Sequence, residues 1–595
     1  MISRNISDLP AISTNERLGG RITAVDVNSG RGGWWPTRVH SCRGRRAPRD
    51  CLAVIGLRRM ESAHRSRGLW IFANGMAHRR FSSHVQCGIM PVSRPAEALK
   101  RLFVATRQNL VEFSHASERS LLLGTVLVAS MVSVATGIVL TQYYSADVLS
   151  SLLFPPDDCW LGMPTNFGRH CFNDYTIVVV GGTRPNPWEP YYFSVFWQSV
   201  SPPNNYPAAG MVPQVAFGLL GNWVGAPRLG LLGYLTVLTI ACFTPALWAA
   251  RGARGLERLV VFAVCAVAAI PAWIAIDRGN SVGFTAPIVL AFLVALCRQR
   301  WGLATIMVVL AALVKPHFVV LAVVLLAARQ WRAGIIAVAG AALANLAAYL
   351  LWPQDFPATI WQSMRGILGY GNAYSYFDIG NISFAKALLL PLDQLEMARM
   401  AGGGALSDHA LAGPRSLIGY AILAIVVVSV LVLGKRIPPV MAGVVVLATI
   451  SLFPAVTARY YLIFALPVAA LILRDPQGPP GSGIFDRYAM LGDRRRTVGI
   501  CASLSAALSI ALIAIPIAHQ MTPTGQAGVT GIVRTTPVFA TTATLTPLMW
   551  LATCALIIIS YARRPTLQPA DVDPQGRNLD VPTAVESDVV SPSSG

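Results

Sequence analysis

The sequence predicts an all-α polytopic membrane protein with about ten full transmembrane helices, a re-entrant hairpin and an interfacial helix. The chain has 595 residues, of which 54% are hydrophobic and 13% charged, whereas a soluble protein carries roughly 25% charged residues. Apolar stretches near the roughly 20 residues of a membrane span recur along the chain, and short basic runs separate them. These observations exclude a soluble enzyme, a coiled coil or a disordered chain as the main architecture.

The amino-terminal part is basic and lacks helical or strand periodicity. The first 100 residues hold 16 arginines and one lysine against six acids, which accounts for +11 of the net charge of +20. We therefore interpret residues 1–94 as a disordered basic arm or as an extension upstream of the native start, with Met90 as an alternative initiator. Residues 95–120 place apolar side chains near one face, which predicts an amphipathic helix lying on the membrane surface.

Neither the positive charge nor the cysteines indicate a soluble ligand. Much of the remaining basic charge lies between apolar segments, where it sets topology, so no nucleic-acid partner is expected. The ten cysteines include no CxxC pair, which argues against a zinc site.

The transmembrane domain is predicted to occupy residues 121–562. Its full spans are predicted from the apolar segments Leu121–Leu140, Leu229–Ala250, Leu259–Ile276, Ser281–Leu296, Gly334–Leu351, Leu417–Leu433, Pro439–Ala455, Tyr460–Leu473, Val498–Ala518 and Leu545–Tyr561.

Topology follows from placing every basic run in the cytoplasm. The chain must then cross an even number of times between Arg300 and Arg329, which makes Leu303–Val314 and His317–Ala328 two legs of a re-entrant hairpin with Lys315 at its apex. Each leg is about 18 Å long at 1.5 Å per residue, too short to cross.

The same parity makes Pro207–Val224 an interfacial helix on the outer side. Large outer loops are predicted at 141–206 and 352–416. We expect both termini to lie in the cytoplasm, and we expect residues 563–595, which are acidic and Pro/Ser-rich, to form a disordered tail.

Carboxylates concentrate outside the membrane. None lies at the centre of a predicted span, and the outer segments contain Asp147, Asp157, Asp158, Asp174, Glu189, Asp277, Asp355, Asp378, Asp393, Glu396 and Asp408. Solvated loops explain most of these acids. Their distribution nevertheless favours chemistry at the outer face over the midplane acids of ion-coupled transporters.

Ordered motifs along the chain carry a family resemblance. The first outer loop contains Asn173-Asp174-Tyr175, then Pro185-Asn186-Pro187-Trp188, then Asn205-Tyr206-Pro207. Downstream come Arg278-Gly279-Asn280, Leu313-Val314-Lys315-Pro316, Gly380-Asn381-Ile382-Ser383 and Arg459-Tyr460-Tyr461. Over about residues 121–475 this order resembles the GT-C polytopic glycosyltransferases, and most closely glycosyltransferase family 87, the actinobacterial polyprenyl-phosphate-mannose-dependent mannosyltransferases. Tyr206-Pro207-Ala208 departs from the family pattern by lacking its second proline.

The resemblance implies a GT-C-like enzyme of the bacterial plasma membrane, with its active site on the outer side. Its co-substrates would be a polyprenyl-phosphate sugar, with mannose as the first expectation, and a lipid or glycan acceptor of the cell envelope. Transfer would invert the anomeric carbon. No cofactor beyond the lipid-linked donor is implied, and dependence on a divalent metal stays open.

Site residues follow from the demands of that reaction. A general base must accept the acceptor proton; Asp174 is the first candidate, and the pair Asp157 and Asp158 is the alternative. Cations must meet the leaving phosphate, and the candidates are Lys315, His317, Arg278 and Arg459. Further motif positions are Asn280, Asn381 and Tyr206. The competing interpretations are that the acids lie in a solvated turn and that the cations anchor the protein to lipid head groups.

Two further hypotheses concern the whole protein and the first loop. A transporter or flippase of a lipid-linked anionic envelope precursor would use the break at Lys315 as its site, and a non-catalytic envelope scaffold would need none of the outer acids. Because the outer compartment permits oxidation, we also expect Cys159 and Cys171 to form a disulfide.

Overall fold

The computed structural model describes residues 116–144, 172–189, 193–195, 198–200, 204–368, 380–401, 412–515, 522–524, 534–536 and 540–565. These ranges are mostly helical. The strands they contain are two or three residues long and form two-stranded antiparallel sheets. In one of these, β1 (Phe193–Val195) pairs with β2 (Gln198–Val200). The other strands are β3 (Ala514–Ile515), β4 (Thr522–Thr524), β5 (Arg534–Thr536) and β6 (Ala540–Thr541). The predictions for 1–94, most of 95–120, Asp157, Asp158, Cys159, Cys171 and the tail beyond 565 lie outside the described residues.

Each predicted apolar segment contains a helix, and further helices lie in the predicted loops. In chain order they are α1 (Glu118–Tyr144), α2 (Asn173–Gly182), α3 (Ala208–Trp223), α4 (Pro227–Ala250), α5 (Gly255–Phe262), α6 (Ile270–Arg278), α7 (Thr285–Cys297), α8 (Trp301–Val314), α9 (Ala322–Ala327), α10 (Trp331–Ala348), α11 (Ala358–Leu368), α12 (Phe384–Leu388), α13 (Leu390–Ala401), α14 (Ala412–Leu433), α15 (Pro439–Leu452), α16 (Ala465–Leu473), α17 (Ile484–Met490), α18 (Arg496–Ile510) and α19 (Thr546–Arg563).

Five segments are long and apolar enough to cross a membrane, within the part of the chain that is described. They are Glu118–Val139, Pro227–Ala250, Trp331–Leu351, Arg415–Arg436 and Thr542–Arg563. A sixth arises if Gly255–Val267 and Ile270–Arg278, which bend by 46° at their junction, form one broken span. A π-helical turn at Ala263–Val267 and Pro271 explain that bend.

The expected number of about ten full spans is not confirmed. Four predicted spans are helical but short: Ser281–Cys297, Pro439–Leu452, Arg459–Leu473 and Arg496–Ile510. A helix of 15 residues is about 22 Å long, less than the roughly 30 Å hydrocarbon core. The boundary predicted at Ala518 was wrong, because α18 ends at Ile510 and strand β3 follows.

The hairpin predicted around Lys315 appears as two short helical legs. Lys315 has an extended backbone between α8 and a 3₁₀ turn, Pro316–Leu321, which continues into α9. The proline explains the break, because its ring disfavours helical backbone at the preceding residue. Segment 207–224 is also helical as expected, and its α3 has 16 residues.

The centre of the described helical bundle is formed by helices that have no exposed polar face. Every residue of α16 is buried, and so is every residue of α15 after Pro439. A helix that is apolar all round is stable only inside a larger core or a membrane. The peripheral α1, by contrast, exposes most of its apolar side chains, including Met131 at 72%. This contrast fits a bundle whose outer helices face lipid.

Candidate functional site

Asp174 lies in the first turn of α2, and a guanidinium and an amide hold its carboxylate. Arg278 donates from Nε to Oδ2 at 2.9 Å and from Nη2 to Oδ1 at 3.1 Å. Asn280 donates from Nδ2 to Oδ2 at 2.7 Å. The side chains of Asp174 and Arg278 are only 10% and 17% exposed. The bond is therefore a two-pronged, largely desolvated ion pair between segments 104 residues apart.

The Arg278-Gly279-Asn280 turn explains how both donors reach Asp174. Arg278 ends α6, and Gly279 takes a left-handed backbone with φ of 65°. A Cβ at Gly279 would lie 2.7 Å from the Cβ of Tyr175, so glycine lets this turn approach α2 closely. Asn280 then caps the next 3₁₀ turn through Oδ1, which accepts from the amide of Val282 at 2.9 Å. Its Nδ2 stays available for the carboxylate.

Tyr206 connects this ion pair to Lys315. The phenol oxygen of Tyr206 accepts from Nδ2 of Asn280 at 3.1 Å, and Nζ of Lys315 lies 4.4 Å from the centre of the Tyr206 ring. Trp188 fixes the backbone of Tyr206 by donating from its indole to the carbonyl at 2.9 Å. We call Asp174, Arg278, Asn280, Tyr206 and Lys315 the Asp174 cluster.

Close packing of α3 on α8 brings Lys315 to this place. A Cβ at Gly210, in the first turn of α3, would lie 3.0 Å from the carbonyl oxygen of Val314. Lys315 follows at the end of α8 and is 9% exposed. No carboxylate forms an ion pair with Lys315 among the described residues. The aromatic face of Tyr206 is thus its direct stabilising contact.

Electrostatics in the Asp174 cluster favour a bound anion. One carboxylate faces two cations, and buried charge without a counter-ion is costly. Burial raises the pKa of Asp174, but the Arg278 guanidinium and the hydrogen bonds from Arg278 and Asn280 outweigh it, so the pKa lies below its usual value. Asp174 is therefore ionised near neutral pH, and the cluster carries an excess positive charge when Lys315 is protonated.

The remaining sequence-predicted residues lie around a second turn. Arg459 opens the 3₁₀ turn Arg459–Phe464 and is 7% exposed. Its neighbour Tyr460 lies with its ring centre 5.7 Å from the guanidinium carbon of Arg278. Asn381 pairs with Ala458 in an isolated β-bridge, and its Oδ1 accepts from the amides of Ser383 and Thr457 at 3.0 Å each. Asn381 thus joins the second loop to the Arg459 turn.

His317 packs among aromatic rings close to the break. Its ring centre lies 6.0 Å from that of Phe453 and 6.1 Å from that of Tyr461. Its Nε2 atom is buried and has no hydrogen-bond partner in the described part of the chain. Such an atom is rare in a native structure and calls for a water or a ligand.

Two features of the site could not be found from the sequence motifs. Tyr460 contacts Arg278 only because the carboxyl-terminal end of α6 lies close to the 3₁₀ turn that begins at Arg459. A second buried charge cluster joins Lys386, Asp393 and Arg415: Nζ of Lys386 lies 3.0 Å from Oδ2 of Asp393, and Arg415 donates from Nη1 to the same oxygen at 3.2 Å. We call these three residues the Asp393 cluster. Within the described ranges, no group of three or more His, Cys, Asp or Glu residues could hold a metal ion.

Comparison with known proteins confirms the resemblance to glycosyltransferase family 87. The model of that family, described as Glycosyltransferase family 87, matches residues 205–433. This range contains Tyr206, Arg278, Asn280 and Lys315, whereas Asp174 precedes it. The comparison with curated proteins finds no match. The family match and the apolar helices together indicate a membrane glycosyltransferase.

Proposed function

We propose that the protein transfers a sugar, with mannose as the first candidate, from a polyprenyl-phosphate donor to a lipid or glycan acceptor of the bacterial cell envelope. The observation that carries this proposal is the Asp174 cluster, in which one buried carboxylate lies beside two cations. Inverting sugar transfer needs a base for the acceptor and positive charge for the leaving phosphate. The family match supports the sugar-transfer chemistry.

The reaction assigns one role to each side of the cluster. The acceptor hydroxyl oxygen attacks the anomeric carbon and forms the new glycosidic bond, while its proton passes to the carboxylate of Asp174. The bond between the anomeric carbon and the phosphate oxygen breaks on the opposite face. Its electron pair leaves with the polyprenyl phosphate, whose added charge Lys315 and Arg278 would stabilise.

Arg278 would change partners when the donor binds. Its two-pronged bond to Asp174 makes the carboxylate a weak base in the unliganded protein. A donor phosphate competes for the same guanidinium, since planar guanidinium groups bind phosphate and carboxylate alike. Withdrawal of Arg278 would leave Asp174 buried with less positive charge around it, so its affinity for the acceptor proton would rise.

We place the reaction on the outer side of the plasma membrane, with both termini in the cytoplasm and residues 121–562 as the catalytic domain. Two facts support the placement of Lys315 towards the outer side. Trp301 and Lys315 lie at opposite ends of α8, whose 14 residues span about 21 Å. The basic residues Arg298 and Arg300 flank the Trp301 end, as expected of a cytoplasmic boundary.

The test is transfer of label from polyprenyl-phosphate mannose by the purified protein in lipid vesicles. Wild-type protein should move the label to an envelope lipid or glycan fraction. Lys315→Ala should weaken donor binding and lower turnover by roughly 10²-fold or more, as for loss of one group that stabilises developing charge. Glu189→Gln is the control, because this acid is 62% exposed and lies outside the cluster.

Other outcomes of the same assay would contradict the proposal. Movement of the intact lipid-linked sugar between leaflets without glycosidic transfer would identify a flippase. Transfer by Lys315→Ala at the wild-type rate would show that Lys315 does not stabilise the leaving phosphate. Transfer from a nucleotide sugar, with no use of the lipid donor, would overturn the donor assignment.

A further inference from the structure

A polar cavity lies at the end of α8 away from the Asp174 cluster. Its volume is about 290 Å³, close to the lower limit of roughly 300 Å³ for small-molecule sites. Three chain turns supply its rim. Gln299 and Trp301 lie at the start of α8, Ala328 and Gln330 lie between α9 and α10, and Lys435 follows α14. We call it the turn cavity. About 21 Å of helix separates it from Lys315.

Tight turns explain why three helix junctions meet here. Gln299 and Gly434 both have left-handed backbone, with φ of 54° and 51°, and each reverses the chain directly after a helix. The amides of Arg300 and Gln330 bond back to Ala295 and Leu325, which satisfies the carbonyls at the ends of α7 and α9. The polar side chains of the turns therefore need not cap these helices and remain at the cavity.

The charged side chain that lines the turn cavity is a cation, Lys435. None of its lining residues is acidic. Within the described ranges, Lys435 forms no ion pair, and the side-chain amides of Gln299 and Gln330 form no hydrogen bond. Further exposed arginines flank the same turns: Arg298, Arg300, Arg329, Arg332 and Arg436.

Apolar side chains beside the turn cavity are not covered by other described parts of the protein. Trp331 follows Gln330 and is 52% exposed, and Val432 precedes Gly434 and is 79% exposed. A free phosphate would gain nothing from these surfaces, whereas the acyl chains of a lipid would cover them. The juxtaposition of a basic polar cavity with exposed apolar surface fits a lipid with an anionic head group.

We propose that the turn cavity binds the phosphate head group of an anionic phospholipid, with Lys435 as its main cationic contact and Gln299 and Gln330 as hydrogen-bond donors. This site is separate from the Asp174 cluster and does not depend on the proposed sugar transfer. Its occupant would join the turns after α7, α9 and α14, and so would stabilise the helices that end and begin there.

The experiment measures thermal unfolding of the full-length protein in detergent while phosphatidylglycerol is added. The melting temperature should rise in a saturable way with phosphatidylglycerol but not with phosphatidylcholine, whose head group has no net charge. Lys435→Gln should raise the half-saturating concentration about tenfold, the value of one charge-assisted hydrogen bond. Arg258→Gln is the matched control, since it removes one exposed positive charge outside the cavity lining.

Two further variants separate the cavity from general surface charge. Ala328→Phe places a ring in the cavity, and Gln330→Leu removes a hydrogen-bond donor; neither substitution changes the charge. Both should weaken the rise in melting temperature that phosphatidylglycerol causes. If Ala328→Phe misfolds, Gln330→Leu still tests the proposal. The proposal would be overturned if Lys435→Gln and Arg258→Gln lost lipid affinity equally. It would also be overturned if Ala328→Phe and Gln330→Leu both bound the lipid as the wild type does. Saturation by inorganic phosphate alone would overturn the assignment to a lipid.

Discussion

The Asp174 cluster and the Asp393 cluster contain the same charges in different arrangements. Each has one buried carboxylate and two cations. In the Asp393 cluster both cations contact the carboxylate, whose side chain is fully buried. In the Asp174 cluster only Arg278 contacts it, while Lys315 rests on the Tyr206 ring and the carboxylate keeps 10% exposure. In the first arrangement the carboxylate contacts both cations, whereas in the second Lys315 does not contact the carboxylate and is available to a ligand.

The sharpest way to test this difference is to neutralise Asp174. Asp174→Asn keeps the size of the side chain and one oxygen that can accept from Arg278, but it cannot accept the acceptor proton. We expect turnover of labelled polyprenyl-phosphate mannose to fall by about 10²- to 10⁴-fold, the usual contribution of a general base. Donor binding should persist, which a binding assay with the labelled donor would measure.

Retained turnover in Asp174→Asn would move the base elsewhere. The pair Asp157 and Asp158 is the alternative from the sequence, and the same substitution at each position would then be compared. A variant that loses both binding and turnover would indicate a structural role for Asp174, which circular dichroism of the purified protein would check.

Neutralising Asp393 should lower the stability of the protein and leave its turnover nearly unchanged. Asp393→Asn leaves Lys386 and Arg415 buried beside each other without their carboxylate. Removing one partner of a buried ion pair costs about 3–5 kcal/mol, so we expect a large fall in the unfolding temperature. Turnover per folded molecule should change little. A stable Asp393→Asn that loses turnover instead would place this cluster in the reaction.

Sequence motifs predicted the components of the Asp174 cluster but not its bonds. Pro316 marked the helix break at Lys315, and the Arg278-Gly279-Asn280 motif marked a turn between helices. The bond between Arg278 and Asp174 joins distant segments and depends on how α2 packs against α6, which no local pattern encodes. The Asp393 cluster was missed for the same reason: its charges lie on three helices and match no motif.

Membrane topology was predictable only at the level of helices. Apolar length identified each predicted span as helical, because hydrophobic segments of this kind form helices in lipid. It did not reveal that several of these helices are too short to cross alone, because the point at which each helix ends depends on tertiary packing. The helix at 496–510 illustrates this, as apolar residues continue beyond its end into a strand.

Removing Arg278 should change the pH dependence of the Asp174 cluster. The guanidinium holds the pKa of Asp174 below its usual value against the opposite effect of burial. Arg278→Gln removes the largest of the causes that lower the pKa of Asp174 and keeps burial, so the pKa should rise. Because the ionised carboxylate is the base, the acid limb of kcat/KM should move to higher pH. An acid limb at the wild-type position would show that Asp174 does not control it.

The same lowered pKa predicts how Asp174 affects stability. A carboxylate with a depressed pKa stabilises the folded state above its unfolded pKa, and that stabilisation is lost as pH falls through the folded pKa. The difference in unfolding temperature between wild type and Asp174→Asn should therefore be constant at neutral pH and shrink only in acid, below the usual value of 3.8. A difference that already shrinks near neutral pH would contradict the ion-pair assignment.

The smallest expected effect separates the two functions of Tyr206. Its phenol oxygen accepts from Asn280, and its ring supports Lys315. Tyr206→Phe removes only the hydrogen bond, which is worth about 1 kcal/mol, so turnover should fall about fivefold with unchanged donor affinity. Tyr206→Leu also removes the aromatic face and should weaken donor binding, because Lys315 loses the contact that fixes its position. Equal effects of the two substitutions on donor affinity would show that the Tyr206 ring does not position Lys315 for the donor. The functional difference from the Asp393 cluster would then depend on Arg278 alone.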